Sequence, residues 1–98
     1  MTLLQFKSSL DHDQPDNTWS PFLQALWYDA KGDWNKAHEI VDPLGGPEGD
    51  WIHAYLHRKE GDSWNADYWY QRAGRQAPNI SFKVEWEVIV VDVLERSY

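Results

Sequence analysis

Apolar side chains recur along this chain at spacings of three and four, the period of a helix buried on one side. The clearest run lies near the C-terminal end. Phe82, Trp86, Ile89, Val90, Val93 and Leu94 share one face for more than three turns, which predicts a helix over 81–94. The stretch Val88-Ile89-Val90-Val91 is rich in β-branched residues and would also suit a buried strand. The helical spacing outlasts a usual strand, so helix is the expectation. Upstream, Ser20-Pro21 reads as a cap and first helical position, with a helix running to about Lys31. A second runs from Asp33 to about Val41 and stops before Pro43. Asp50 is read as the cap of a third, which ends near Glu60. A fourth spans about Ser63 to Ala73, with Gly74 after it and Pro78-Asn79 as a break. Leu3, Leu4, Phe6 and Leu10 roughly share one face and suggest a short helix at the start. Asp11–Asn17 and Pro43–Gly49 are turn-rich loops.

A word is repeated within this pattern. Gly32-Asp33-Trp34-Asn35-Lys36-Ala37 returns in outline as Gly61-Asp62-Ser63-Trp64-Asn65-Ala66, at an offset of 29 residues that also maps Ala25 onto Ala54. Each Gly-Asp stands between two helical patterns. Glycine supplies the left-handed residue that ends one helix, and aspartate caps the next. The pair therefore predicts a tight helical hairpin, with Gly32 and Gly61 at positive φ.

At Gly32-Asp33-Trp34 and Gly61-Asp62 the chain resembles tetratricopeptide repeats. Gly61, Ala66, Tyr70, Ala73 and Pro78 stand at that family's spacings; the first unit matches only at Gly32, Asp33, Trp34 and Ala37. The period is 29 residues here against about 34 in the family. The resemblance covers about 20–78 and implies an all-α fold. Its parts are two degenerate units of antiparallel hairpins, about 20–44 and 50–78, followed by the C-terminal helix. With the short N-terminal segment these form one domain over 1–98. A second resemblance is carried by Trp51-Ile-His-Ala-Tyr-Leu-His-Arg-Lys-Glu-Gly-Asp with Asn65-Ala66 and Tyr68-Trp-Tyr-Gln-Arg-Ala-Gly74. This block is similar to one in small microbial proteins of unassigned function, and it implies a fold but no activity.

Ninety-eight residues can bury about two-thirds of the surface they expose when unfolded, enough for one core. Seven Trp, five Tyr and three Phe supply much of its apolar mass, so few residues can fill it. There is no Cys, which removes disulfides and thiolate chemistry. The start lacks the order of a signal peptide, and no apolar run approaches the length of a membrane span. A cytoplasmic protein is the expectation, with no membrane partner. The net charge of −7 is uneven: residues 1–50 hold three Lys/Arg against nine Asp/Glu, and 51–98 hold six against seven. An acidic chain lacks the basic footprint that nucleic-acid binding needs.

Four groups of residues are candidates for chemistry. His53 and His57 are four apart, with Glu60 three further on, so all three share one helix face. With His38 from the preceding helix they can offer imidazole and carboxylate ligands to zinc or another divalent ion. The preferred reading is structural. In the hairpin register both rings point at the partner helix, where Asn65, Tyr68 or a carbonyl can bond them. Arg58, Lys59, Arg72 and Arg75 gather four cations within eighteen positions. They suit an anion clamp, or internal pairing with Glu60, Asp62 and Asp67; pairing is preferred. Tyr68-Trp69-Tyr70 sweeps about 200° of a helix. Tyr70 is expected in the hairpin core, Trp69 against the last helix near Trp86, and Tyr68 exposed. No phosphate loop, nucleophile elbow or Ser-His-Asp order is present; the residues leave catalysis open, a non-enzymatic role is the preferred reading, and no cofactor is expected unless the metal alternative holds.

The family resemblance implies an interaction module with a groove on the first helix of each hairpin. Carried onto this chain, its groove positions are Phe22, Leu26 and Asp29, then Trp51, Tyr55, Arg58 and Lys59. Such a groove suits a protein or peptide with an acidic group. A second copy of the chain is another candidate partner, through Trp86, Ile89 and Val93 of the last helix together with Tyr68. The competing reading is a small metal- or ligand-binding protein or enzyme built on His53, His57 and Glu60.

Overall fold

A computed structural model describes residues 1–96. Six α-helices stand among them: α1 Leu3–Ser8, α2 Pro21–Ala30, α3 Trp34–Val41, α4 Gly46–Glu60, α5 Ser63–Arg72 and α6 Phe82–Glu95. A 3₁₀ turn, Ser9–Asp11, follows α1, and no strand occurs among the described residues. The stretch 88–91 is helical within α6. No helix among the described residues is long and apolar enough to cross a membrane.

The two Gly-Asp turns share one construction. Gly32 and Gly61 have φ of +87° and +93°, as the hairpin reading requires. The following N–H groups, of Asp33 and Asp62, reach back 2.9 Å to the carbonyls of Tyr28 and His57. Those aspartates then turn forward: their carboxylates accept from the N–H of Lys36 at 3.1 Å and of Asn65 at 3.2 Å. A single residue thus closes one helix and caps the next, satisfying backbone groups that a helix end leaves open. As a result α2 packs chiefly on α3, and α4 on α5. Ala25, Ala37, Ala54 and Ala66, two pairs at the 29-residue offset, are all buried. Small side chains at these points let the helices approach closely.

The third expected helix begins earlier than the sequence suggests. The structure starts α4 at Gly46, with Pro47 in the first turn, where a missing N–H costs nothing. Asp50 is therefore not its cap. It lies buried inside the helix, 3.7 Å from the Arg72 guanidinium. Gly49 is the close-approach point: a Cβ there would meet Leu44 at 3.4 Å and Phe22 at 3.6 Å.

Helix α6 lies against α2 and α4, and α1 against α6. Two indoles fix this arrangement. Trp86 Nε1 donates to the Leu26 carbonyl at 2.9 Å, and Trp51 Nε1 donates to Glu85 at 3.2 Å. Phe6 sits fully buried between Trp19 and Trp86, at ring distances of 5.3 and 5.8 Å. Leu4, expected on the same face, is exposed instead; the α1 face in contact with the core carries Leu3, Phe6 and, beyond it, Leu10. Of the dimer surface suggested by the sequence, Tyr68 is exposed as expected, but the three α6 residues are not. Trp86, Ile89 and Val93 are buried in the chain's own core. The outer side of α6 shows Val84, Val88 and Val91.

Candidate functional site

Helix α4 serves two polar sites. On the side of α2 and α6, the expected groove is largely occupied. Leu26, Asp29, Trp51 and Tyr55 are buried beneath or beside α6, Phe22 and Arg58 are half-buried, and Lys59 is exposed. What remains is an open cavity of about 450 Å³, with Asp29, Tyr55 and Lys59 on its wall, while Phe22, Leu26, Trp51 and Arg58 do not line it. Phe82 and Trp86 add apolar surface, and Lys7 and Lys83 add charge.

The cations at this side are tied down to different degrees. Lys59 Nζ lies 3.0 Å from buried Asp29, which also accepts the Tyr55 hydroxyl at 2.7 Å. Lys7 pairs with Glu87 at 3.0 Å. Lys83 has no carboxylate partner among the described residues. Burial, with Asp29 beside it, pushes the Tyr55 hydroxyl far above its ordinary pKa, so it stays a donor. Arg58 bonds Glu85 at 2.8 Å and the Ile80 carbonyl, and its guanidinium covers Phe82 at 4.8 Å. Arg75 lies over Trp51 at 3.4 Å, and Arg72 over Trp69 at 5.0 Å while touching Tyr68 and Asp50. Three of the four cations of the cluster, Arg58, Lys59 and Arg72, have carboxylate partners within the chain, whereas Arg75 rests on the Trp51 ring alone. Those carboxylates are Asp29, Asp50 and Glu85, not Glu60, Asp62 and Asp67.

The opposite side of α4 faces α3 and α5 and carries the histidines. His38, His53 and His57 each offer a ring nitrogen, all within 4.8 Å of one another. His38 Nε2 and His53 Nε2 are 3.1 Å apart. His57 Nδ1 is 2.6 Å from Glu60, and its Nε2 is 3.5 Å from the Asn65 amide. His57 therefore has Asn65 and Glu60 as side-chain neighbours, while His38 and His53 gather with it on the other side and Glu60 touches only His57 of the three. Trp69 does not reach α6 as expected. It stacks on His53 at 3.9 Å, because α5 turns that face toward α4 rather than toward Trp86. Trp34 stacks on His38 at 5.0 Å and is anchored by a 2.7 Å bond from its indole to the Leu56 carbonyl. Burial, then the neighbouring His38 and His57, lower the His53 pKa to about 4, so its ring is neutral at pH 7.

Two features escaped the sequence reading. Glu85 is almost fully buried and holds Trp51, Arg58 and Tyr70 at once. A carboxylate between Phe82 and Ile89 on the apolar face was the available signal. Trp64, one turn before the exposed Tyr68, is 83% exposed, the most open large apolar side chain among the described residues. Compared with protein-family models, with curated proteins and with solved structures, the chain matches none.

Proposed function

We propose that this chain is a small helical-hairpin interaction module, of tetratricopeptide-like build, whose partner is an acidic protein segment. The carrying observation is the cavity between α2, α4 and α6. Three of the nine cations of a chain with net charge −7 line it, against a single carboxylate, Asp29. The repeated Gly-Asp turns and the paired packing of α2 with α3 and α4 with α5 support the hairpin build. The aromatic surface of Tyr55, Phe82 and Trp86 supports an occupant with apolar side chains between its acidic ones. Lys83, unpaired, is the charge freest to meet it. Lys59 and Lys7 would trade part of their present ion pairs for the incoming carboxylates, which favours a partner with more than one.

The test is fluorescence anisotropy with a labelled peptide of alternating Glu and Leu ending in a free carboxylate. Binding should weaken as salt rises past the physiological range, since exposed charges are screened over about 8 Å there. Lys83→Glu should weaken it roughly tenfold, about 1.4 kcal/mol. Binding indifferent to both salt and Lys83→Glu would reject the cavity as the seat.

A further inference from the structure

The histidine side of α4 carries an inference independent of the groove. We propose that His38, His53 and His57 form a binding site for a first-row divalent metal of the zinc class, with Glu60 orienting His57 from behind. The ligands come from α3, which carries His38, and α4, which carries His53 and His57, and these two helices pack on each other.

Distance is the first argument. Zinc–imidazole bonds of about 2.0–2.1 Å place two tetrahedral ligand nitrogens about 3.3 Å apart. His38 Nε2 and His53 Nε2 already stand at 3.1 Å. Even a triangle with all sides at the 4.8 Å limit has its centre about 2.8 Å from each corner. Each ring then needs to move inward by about 0.7 Å at most.

Protonation is the second argument. A neutral imidazole has one N–H and one lone pair. His57 Nδ1, held by the Glu60 carboxylate, is the nitrogen that carries the proton, so Nε2 keeps its lone pair, which accepts from the Asn65 amide at 3.5 Å and would pass from that long bond to the ion. Between His38 and His53 one Nε2 must donate and the other accept. Shifting that proton to the donor ring's Nδ1 leaves a third lone pair and needs no net change of charge. A carboxylate behind a ligating histidine is the usual way its tautomer and basicity are set.

Orientation and access complete the case. Trp69 and Trp34 stack on His53 and His38 and restrict how those rings turn. His38 is only half-buried, and Asp42, mostly exposed, has Oδ1 4.0 Å from His53 Nε2. An ion can therefore enter past α3, and Asp42 or a water can fill the fourth position. The alternative grouping, His57 with Glu60 and Asp62, is weaker, because the Asp62 carboxylate is engaged in capping α5.

Isothermal titration of the chelator-treated full-length protein with zinc tests this, alongside titration with cobalt, whose visible d–d absorption reports tetrahedral geometry. One equivalent should bind, with a tetrahedral cobalt spectrum and a raised melting temperature, since a ligand for the folded state alone stabilises it. His38→Ala, at a half-buried position, should keep the helical circular dichroism and lose at least 100-fold in affinity. Glu60→Gln should lose 10–100-fold. His12→Ala, at the exposed remaining histidine, should change nothing. No saturable binding at one equivalent would overturn the proposal. So would binding that survives His38→Ala or disappears with His12→Ala.

Discussion

The Tyr70 hydroxyl on α5 donates a 2.7 Å hydrogen bond to the Glu85 carboxylate on α6, and both side chains are buried. Burial and this bond push the Tyr70 hydroxyl well above its ordinary pKa, so it acts as a donor throughout the physiological range. Trp51 and Arg58 on α4 bind the same carboxylate. Glu85 thus joins three helices through the three bonds of one carboxylate. Removing it strands the Arg58 charge and two donors. Glu85→Ala should destabilise the fold by about 3–5 kcal/mol in urea unfolding. Tyr70→Phe, which deletes one bond and leaves Glu85 its other partners, should cost about 1–3 kcal/mol. Equal losses in the two variants would show that the carboxylate is not shared.

The folded state should lose stability in mild acid through His53. Its folded pKa of about 4 lies below the ordinary 6.5, so between these values the unfolded chain binds the extra proton. Stability is fully present above about pH 6.5 and falls as pH drops toward 4, by an amount of order 2 kcal/mol once solvent at the open edge is allowed for. Unfolding of the metal-free protein at a series of pH values measures this. His53→Gln should flatten the slope in that window; an unchanged slope would place the titration elsewhere.

The hairpin turns make a matched pair of tests. A Cβ on Gly32 or Gly61 would meet nothing within 4 Å, so any cost of alanine there comes from positive φ alone. Each substitution should cost about 1 kcal/mol, by strain in the folded backbone. Thermal melts of the two variants should agree closely. A loss confined to one would separate the turns despite their shared hydrogen bonding.

Neighbouring residues on α6 test its orientation. Ile89 is fully buried, and Val88 is 46% exposed. Ile89→Ala should cost about 2–5 kcal/mol, while Val88→Ala should stay within about 0.5 kcal/mol. Denaturant midpoints measured at constant slope decide it, and a reversed order would mean α6 is rotated.

The parts of this structure that were legible in the sequence are those set by local chemistry. Gly32-Asp33 and Gly61-Asp62 carry their turn in two residues, and Ser20-Pro21 and Ser81 mark helix starts that the structure keeps. Asp50 misled because it looks like a cap, whereas Gly45, Gly46 and Pro47 provide an earlier start. The helix faces of His53, His57 and Glu60 followed from spacing. That His38 would come within 3.1 Å of His53 depended on how α3 lies on α4, which spacing does not fix. The groove was misjudged for the same reason. Trp51 and Tyr55 face the expected way, but α6, thirty residues downstream, covers them. Asp29 and Glu85 show what a stricter reading would use: a carboxylate on an apolar face needs a buried partner, and each has two or more.

The central claim is that the cavity between α2, α4 and α6 receives an acidic segment. Two-dimensional ¹H–¹⁵N spectra, recorded as the alternating Glu-Leu peptide is added, test it most directly. The account predicts shifts concentrated at the backbone amides of Lys59 and Lys83 and at the Trp86 indole, suppressed by high salt and weakened by Lys83→Glu. Shifts that avoid these three groups, or none at millimolar peptide, would contradict it.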